Sequence, residues 1–361
     1  MQSLLKHETF LLIAIVTVVI GYASKVFFPI EGKMLAIAEV VILIAAILCA
    51  SLSIAYHAEI TAQKVGEPYG TMLLTLSSVL VEVLVLGIMT ISIASNTLVR
   101  DSIYSAVMLD INGILGIAAL IGGIKHGEQS YNDDSARTYS AMIMTAVGIS
   151  MIVPEFVAKG AWQAYSTFTI VTMLLLYGVF LRMQAGPHSY FFSYSYPDKK
   201  GRKSPIAAAN IGRVHSIAVM VGGIVVVGAL AELLPKSLEL GLQGIRAPQG
   251  SIALIVAVIS ATPEILTALR AALENRMQPA VNIAMGASLS TVVLTVPAME
   301  ALALYRGQPF QMAMTPVQTV MMLLTLVVVA INLNDGQTNA IEGMTHFVLF
   351  ATFLMLFALG V

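Results

Sequence analysis

Apolar runs of about twenty residues or more recur along the whole chain, separated by short charged or Gly/Pro-marked breaks. Wound as a helix rising about 1.5 Å per residue, a run of that length matches the ~30 Å hydrocarbon core of a bilayer. The pattern predicts an all-α polytopic membrane protein with about eleven transmembrane helices. They fall near residues 8–29, 33–57, 68–95, 101–125, 138–158, 163–184, 212–235, 248–271, 279–305, 314–333 and 343–361. Composition agrees: 58% of the 361 residues are apolar and only 11% charged, against roughly 25% charged in a soluble domain. A net charge of −1 excludes an electrostatic nucleic-acid binder. The lone Cys49 can form neither an internal disulfide nor a thiolate metal site. Only Lys6 and His7 precede the first run, and no small-residue cleavage site follows it, so it reads as a span rather than a cleaved signal peptide.

An odd number of spans puts the two ends on opposite sides. With the amino terminus in the cytoplasm, twelve of the 19 basic residues lie inside. The basic-residue rule therefore predicts the N-terminus cytoplasmic and the C-terminus outside. Much of the bias comes from residues 185–211, which carry Lys199, Lys200, Arg202 and Lys203 and form the longest break in hydrophobicity. That segment reads as a topology anchor and as the hinge between two halves.

Set aside residues 1–32 as an extra N-terminal transmembrane helix, and five spans lie on each side of the hinge. An odd number per half inverts one half relative to the other. The expected organisation is therefore a first five-helix repeat at 33–184, a central basic loop at 185–211 and a second, inverted five-helix repeat at 212–361. Two stretches support the repeat, GEPYGTMLLTLSSVLVEVLVLGI and APQGSIALIVAVISATPEILTAL. Each opens on a proline (Pro68, Pro248) and a glycine (Gly70, Gly250), then runs apolar to a single glutamate with a serine four residues before it: Ser78 with Glu82, Ser260 with Glu264. The glycine-to-glutamate spacing differs by two residues between them.

A carboxylate at the bilayer centre costs about 2.5–3.5 kcal/mol on the insertion scale, so Glu82 and Glu264 should face a water-filled cavity or a partner. The functional expectation is that they meet at the midplane and bind a cation. Two carboxylates supply hard oxygens and two negative charges, which suits Ca²⁺ better than a monovalent ion. Pro263 frees the carbonyl of Ile259 one turn before Glu264. Ser78 and Ser260 share a helix face with the glutamates and could ligate beside them, although a serine often bonds only to its own helix. Without a cation, two neighbouring buried carboxylates resist ionisation through desolvation and mutual repulsion, and take up protons as a coupled unit. A site that holds either a metal ion or protons is the minimum requirement of an exchanger. Asn112 and Ser290, polar at depth in SAVMLDINGILG and NIAMGASLSTVVLTVP, are further candidate cation- or proton-binding residues, and Asp110 is a weaker one. Glu155, Glu232 and Glu300 read as helix-end residues and Glu39 as a vestibule residue; Asn339 with Glu342 reads as a capping box opening the last helix.

Three stretches carry a family resemblance: HAEITAQKVGEPYGTMLLTLSSVLVEVLVL, ATPEILTALRAALENRMQPAVNIAMGASLSTVVLTVPA and the tail NDGQTNAIEGMTHFVLFATFLM. They closely resemble calcium/proton antiporters of the ChaA type, in the CAX branch of the cation/Ca²⁺ exchanger superfamily. The segment with Gln129, Tyr131 and Asn132 resembles the stretch that follows the first repeat there. The resemblance implies eleven helices in two inverted repeats, Ca²⁺ export driven by inward proton flow, an ion site at Glu82 and Glu264, and a place in the bacterial inner membrane. Related members also move Na⁺ or K⁺. Many CAX proteins have a Gly-Asn pair upstream of each repeat glutamate; this chain has Ser78-Val79 and Ser260-Ala261, so no amide ligand carries over. The acidic central segment of some relatives is replaced by a basic one, so no cytosolic Ca²⁺-sensing loop carries over either.

The expected partners are Ca²⁺ and protons as substrates and the lipid bilayer, with no permanently bound cofactor and no enzymatic activity. The alternatives are a monovalent cation/proton antiporter and a cation channel. An intramembrane serine protease would need Ser288 and His346 as a dyad, and nothing in the sequence orients that histidine. The 20 methionines are scattered along the spans and read as core filler.

Overall fold

The structure is a computed structural model that describes residues 2–27, 32–65, 69–93, 95–186, 188–194, 212–242 and 250–360. Pro68, Pro248 and the basic residues 199–203 lie outside the described residues. The helices are α1 (Gln2–Phe27), α2 (Lys33–Val65), α3 (Tyr69–Ser92), α4 (Leu98–Met108), α5 (Gly116–His126), α6 (Asp133–Val147), α7 (Trp162–Ala185), α8 (Arg213–Leu242), α9 (Ser251–Leu273), α10 (Met277–Ser290), α11 (Val296–Arg306), α12 (Pro316–Asn332) and α13 (Ala340–Leu359). Two short strands, β1 (Gln129–Ser130) and β2 (Gln337–Thr338), pair antiparallel.

The chain is an all-α membrane protein. Among the described residues, eight helical segments are long and apolar enough to cross a bilayer, or nine when α9, bent by 52° between Ser251–Thr262 and Glu264–Leu273, is taken as one span. The first and tenth expected spans correspond to the shorter apolar helices Glu8–Ser24 and Pro316–Asn332.

Two compact units emerge, Met1–Ser95 with Ser204–Ala247, and Asn96–Lys203 with Pro248–Val361. Each draws on both sides of the central loop. In the first unit α2 packs along α8, and α1 and α3 pack against both. Small residues permit the close approach: a Cβ on Gly223 of α8 would lie 2.6 Å from Ile54 Cγ1 of α2. In lipid, where apolar burial drives helix association only weakly, such contacts supply the packing energy.

In the second unit α10 packs against α6, α9 and the segment between α4 and α5. A π-helix, Gly148–Ile152, follows α6. Two more interrupt spans: the segment between α4 and α5, Leu109–Leu115, and Thr291–Thr295, which joins α10 to α11. These two interrupted spans are the most buried of the candidates. Pro297 accounts for the second interruption, because its missing N–H leaves the carbonyl four residues earlier, at Val293, without its α-helical donor. The first contains no proline, and nothing in its local sequence dictates it.

The β1–β2 pair ties the loop after α5 to the loop before α13, with Gln129 opposite Thr338 and Ser130 opposite Gln337. It brings α5 and α13 side by side, and Gly123 and Gly343 let their backbones touch. Asn339 caps α13 as expected, its Oδ1 accepting from the backbone N–H groups of Ile341 (2.9 Å) and Glu342 (3.1 Å).

Candidate functional site

The six predicted site residues divide between the two units. Glu82 and Ser78 lie on α3 in the first; Glu264, Ser260, Asn112 and Ser290 lie in the second. Glu82 is buried and Ser78 half-buried. The same unit buries Ser77 one position before Ser78. Glu39, expected to line a vestibule, accepts a short hydrogen bond from Ser237. Glu232 is exposed and accepts from the Tyr22 hydroxyl at 2.8 Å.

In the second unit Glu264 is half-buried on α9, just past the bend. Helix α9 packs against α4, the π segment, α5 and α10, so Glu264 is carried on the helix that borders both interrupted spans. The two serines make the local bonds weighed against ligation. Ser260 Oγ donates to Ala257 O at 3.0 Å, and Ser290 Oγ donates to Gly286 O and, at 3.2 Å, to Ala287 O. Their hydrogens are used on their own helices, which leaves oxygen lone pairs as the only ligating capacity.

Asn112 is fully buried at the centre of the π segment. Its Nδ2 donates to Thr325 Oγ1 at 2.7 Å, and its Oδ1 lies 2.9 Å from His346 Nδ1. Two residues earlier, buried Asp110 accepts at 3.3 Å from Ser288 Oγ of α10, linking the interrupted spans. Asp110 carries little weight in the sequence, and Thr325 and His346 are not among the site residues predicted from it. Asp110 is two residues from Asn112, a spacing that puts the two on different helix faces, and its partner comes from another span. Thr325 sits in the apolar middle of α12, where one hydroxyl is a weak signal. Ser288 and His346, the pair a serine protease would need, are engaged instead with Asp110 and Asn112.

Glu300 also departs from the sequence reading. It is buried on α11 rather than reaching toward an interface, and accepts from Ser166 Oγ of α7 at 2.5 Å. Glu155 is exposed in a turn, as a helix-end residue should be. No group of three or more His, Cys, Asp or Glu side chains stands together among the described residues.

Beyond the spans, a polar clasp surrounds β1. Gln129 Nε2 donates to Ala272 O at 2.8 Å, and Lys125 Nζ and His126 Nε2 both lie 2.9 Å from Leu273 O, so three side chains cover the carboxyl end of α9. Cationic or donor groups there complement the helix dipole. The Tyr131 hydroxyl donates to Gln337 O at 3.1 Å. Burial raises its phenol well above the ordinary value, and Asp335, Glu342 and Asp133 push in the same direction. Asn132 accepts from Asp134 N at 3.0 Å and caps α6. The three marked residues of this segment thus hold loops and helix ends together.

Buried carboxylates and carboxamides on closely packed, interrupted membrane helices define a membrane transporter for small ions. The sodium/calcium exchanger protein family model matches residues 34–186 and 215–359, and the chain belongs to that family. The sodium-potassium/proton antiporter ChaA of Escherichia coli is 32% identical over 86% of each chain. The Ca²⁺/H⁺ antiporter ChaA of Bacillus subtilis is 24% identical over 69% of this chain and 71% of its own. Among solved structures, the Ca²⁺/H⁺ antiporter YfkE superposes with a TM-score of 0.74 at 18% identity, covering 98% of this chain and 99% of that one. The H⁺/Ca²⁺ exchanger CAX gives 0.69 at 14%, covering 98% and 89%. At these identities the two structures speak for the fold.

Proposed function

We propose that this chain is a secondary active transporter that exchanges Ca²⁺ for protons by alternating access, with Glu82 and Glu264 as the residues that take either the cation or protons. The observation that carries the reading is a glutamate thirteen residues into a long apolar helix in each of the two stretches matched by the exchanger family, Glu82 within 34–186 and Glu264 within 215–359. Asn112, Ser78, Ser260 and Ser290 complete the cation path in this reading, the serines through their free lone pairs. Eleven spans follow when α9 counts as one and the helices Glu8–Ser24 and Pro316–Asn332 also cross. They fall into inverted repeats at 33–184 and 212–361 around the basic loop 185–211, behind an extra helix at 1–32. The basic-residue bias then puts the N-terminus in the cytoplasm and the C-terminus outside, in the bacterial inner membrane that the bacterial relatives suggest.

A monovalent substrate, Na⁺ or K⁺, is the second reading, favoured by the sodium-potassium/proton antiporter at 32% identity. The two-carboxylate charge argument favours Ca²⁺. Sealed proteoliposomes with an imposed pH difference separate the two. Saturable Ca²⁺ uptake coupled to proton release supports the first reading, and Na⁺ or K⁺ movement with no Ca²⁺ movement supports the second. Dissipation of either gradient alone would mark a channel and defeat both.

A further inference from the structure

Around Asn112 one assignment of hydrogens satisfies every polar contact, the sulfur included, and it makes His346 a donor. Met108 Sδ can only accept, and it receives Thr325 Oγ1 at 3.5 Å and Asn112 Nδ2 at 3.6 Å. With its hydrogen spent on sulfur, Thr325 Oγ1 accepts from Asn112 Nδ2 at 2.7 Å. Both Nδ2 hydrogens are then used, and a flipped carboxamide would set its oxygen against the sulfur, acceptor facing acceptor. In the orientation that keeps both sulfur contacts, Asn112 Oδ1 faces His346 Nδ1 at 2.9 Å, and the Nδ1–H tautomer donates to it. The other ring nitrogen, Nε2, is buried and makes no hydrogen bond to any described residue.

Packing holds the ring in place. His346 is 3% exposed, and a Cβ on Gly116 would lie 2.7 Å from His346 Cβ, so glycine at that position is what lets α13 approach the α4–α5 span. Three separate elements, α4, α12 and α13, thus converge on one carboxamide of the π segment.

We propose that His346 is a positioning residue for cation transport: its Nδ1–H holds the Asn112 carboxamide with Oδ1 turned toward α13, and this orientation sets the apparent cation affinity. This rests on Asn112 belonging to the cation path. Oδ1 keeps a second lone pair for a cation while His346 occupies the first. Without the donor, a flipped carboxamide loses only the sulfur contact, because Thr325 Oγ1 can donate to the amide oxygen in place of accepting from Nδ2, and it then presents Nδ2, whose hydrogens repel a cation. The role needs the donor and not a charge on the ring.

The test measures cation uptake against concentration in proteoliposomes for wild type, His346→Leu, His346→Phe and His346→Asn. Asparagine places an amide donor near the position of Nδ1, and phenylalanine keeps the ring volume without the donor, which covers the case in which the leucine variant does not fold. Wild-type transport is read first; if no cation moves against protons, the functional reading itself fails, whatever the variants do. Given transport, the leucine or phenylalanine variant should raise KM about tenfold with maximal rate within about twofold, and asparagine should restore most of the affinity. Combined with Asn112→Ala, loss of His346 should add nothing. An unchanged KM in the donorless variants, no rescue by asparagine, or multiplicative effects in the double variant would each overturn the proposal.

Discussion

Helices α3 and α9 present the same problem, one glutamate in an apolar span, and meet it with different backbones. Glu82 lies 13 residues after Tyr69, and Glu264 lies 13 after Ser251. The two-residue mismatch seen when counting from Gly70 and Gly250 disappears when counting from the first helical residues. Around Glu82 the sequence SSVLVE contains no helix breaker, α3 runs through, and the carboxylate is buried. Around Glu264 the sequence SATPE places a proline directly before it, the axis turns 52°, and the carboxylate is only half-buried. One imino acid thus separates a carboxylate on an unbroken helix from one at a joint, where the proline leaves the Ile259 carbonyl without its helical donor.

The strongest challenge to that comparison is to neutralise each glutamate in turn. Glu82→Gln and Glu264→Gln should each reduce cation-dependent proton movement in proteoliposomes to background, a loss of about a hundredfold or more. Retention of transport in either variant would mean that the two carboxylates are not equivalent. Next in size is Pro263→Ala, which restores an N–H to α9. It should raise resistance to thermal unfolding in detergent by about 1 kcal/mol, the value of one regained hydrogen bond. If the joint is needed for movement, the maximal transport rate should fall about tenfold at the same time. A more stable protein of undiminished rate would show the bend to be structural only. The smallest effect is expected from the serines. Ser260→Ala removes one neutral oxygen ligand from a site whose charge comes from the two glutamates, so its KM should rise by no more than about threefold. A much larger change from Ser78→Ala would locate more of the cation's ligation on the unbroken helix.

Much of the chain was legible in the sequence. Run length predicted apolar helices near their observed places, because within a membrane only helices and closed barrels satisfy the backbone's hydrogen bonds and runs of about twenty residues suit a helix. The glutamates stood out because a charge in an apolar run is costly and therefore rare. The cap at Asn339 was also readable, being set by residues three apart. Glu300 was misread because proximity to a helix end says nothing about which helix packs over it; Ser166 arrives from α7.

The order of apolar and charged residues by itself determined the membrane class, the span positions and the two acidic side chains, because each depends on local composition measured against a fixed bilayer. Tertiary structure decided the rest. The π segment at Leu109–Leu115, the Asp110–Ser288 link and the Met108–Thr325–Asn112–His346 chain join residues far apart in the sequence. Hydrogen-bond direction in a buried network follows from which groups face each other, and only the packing of separate helices settles that.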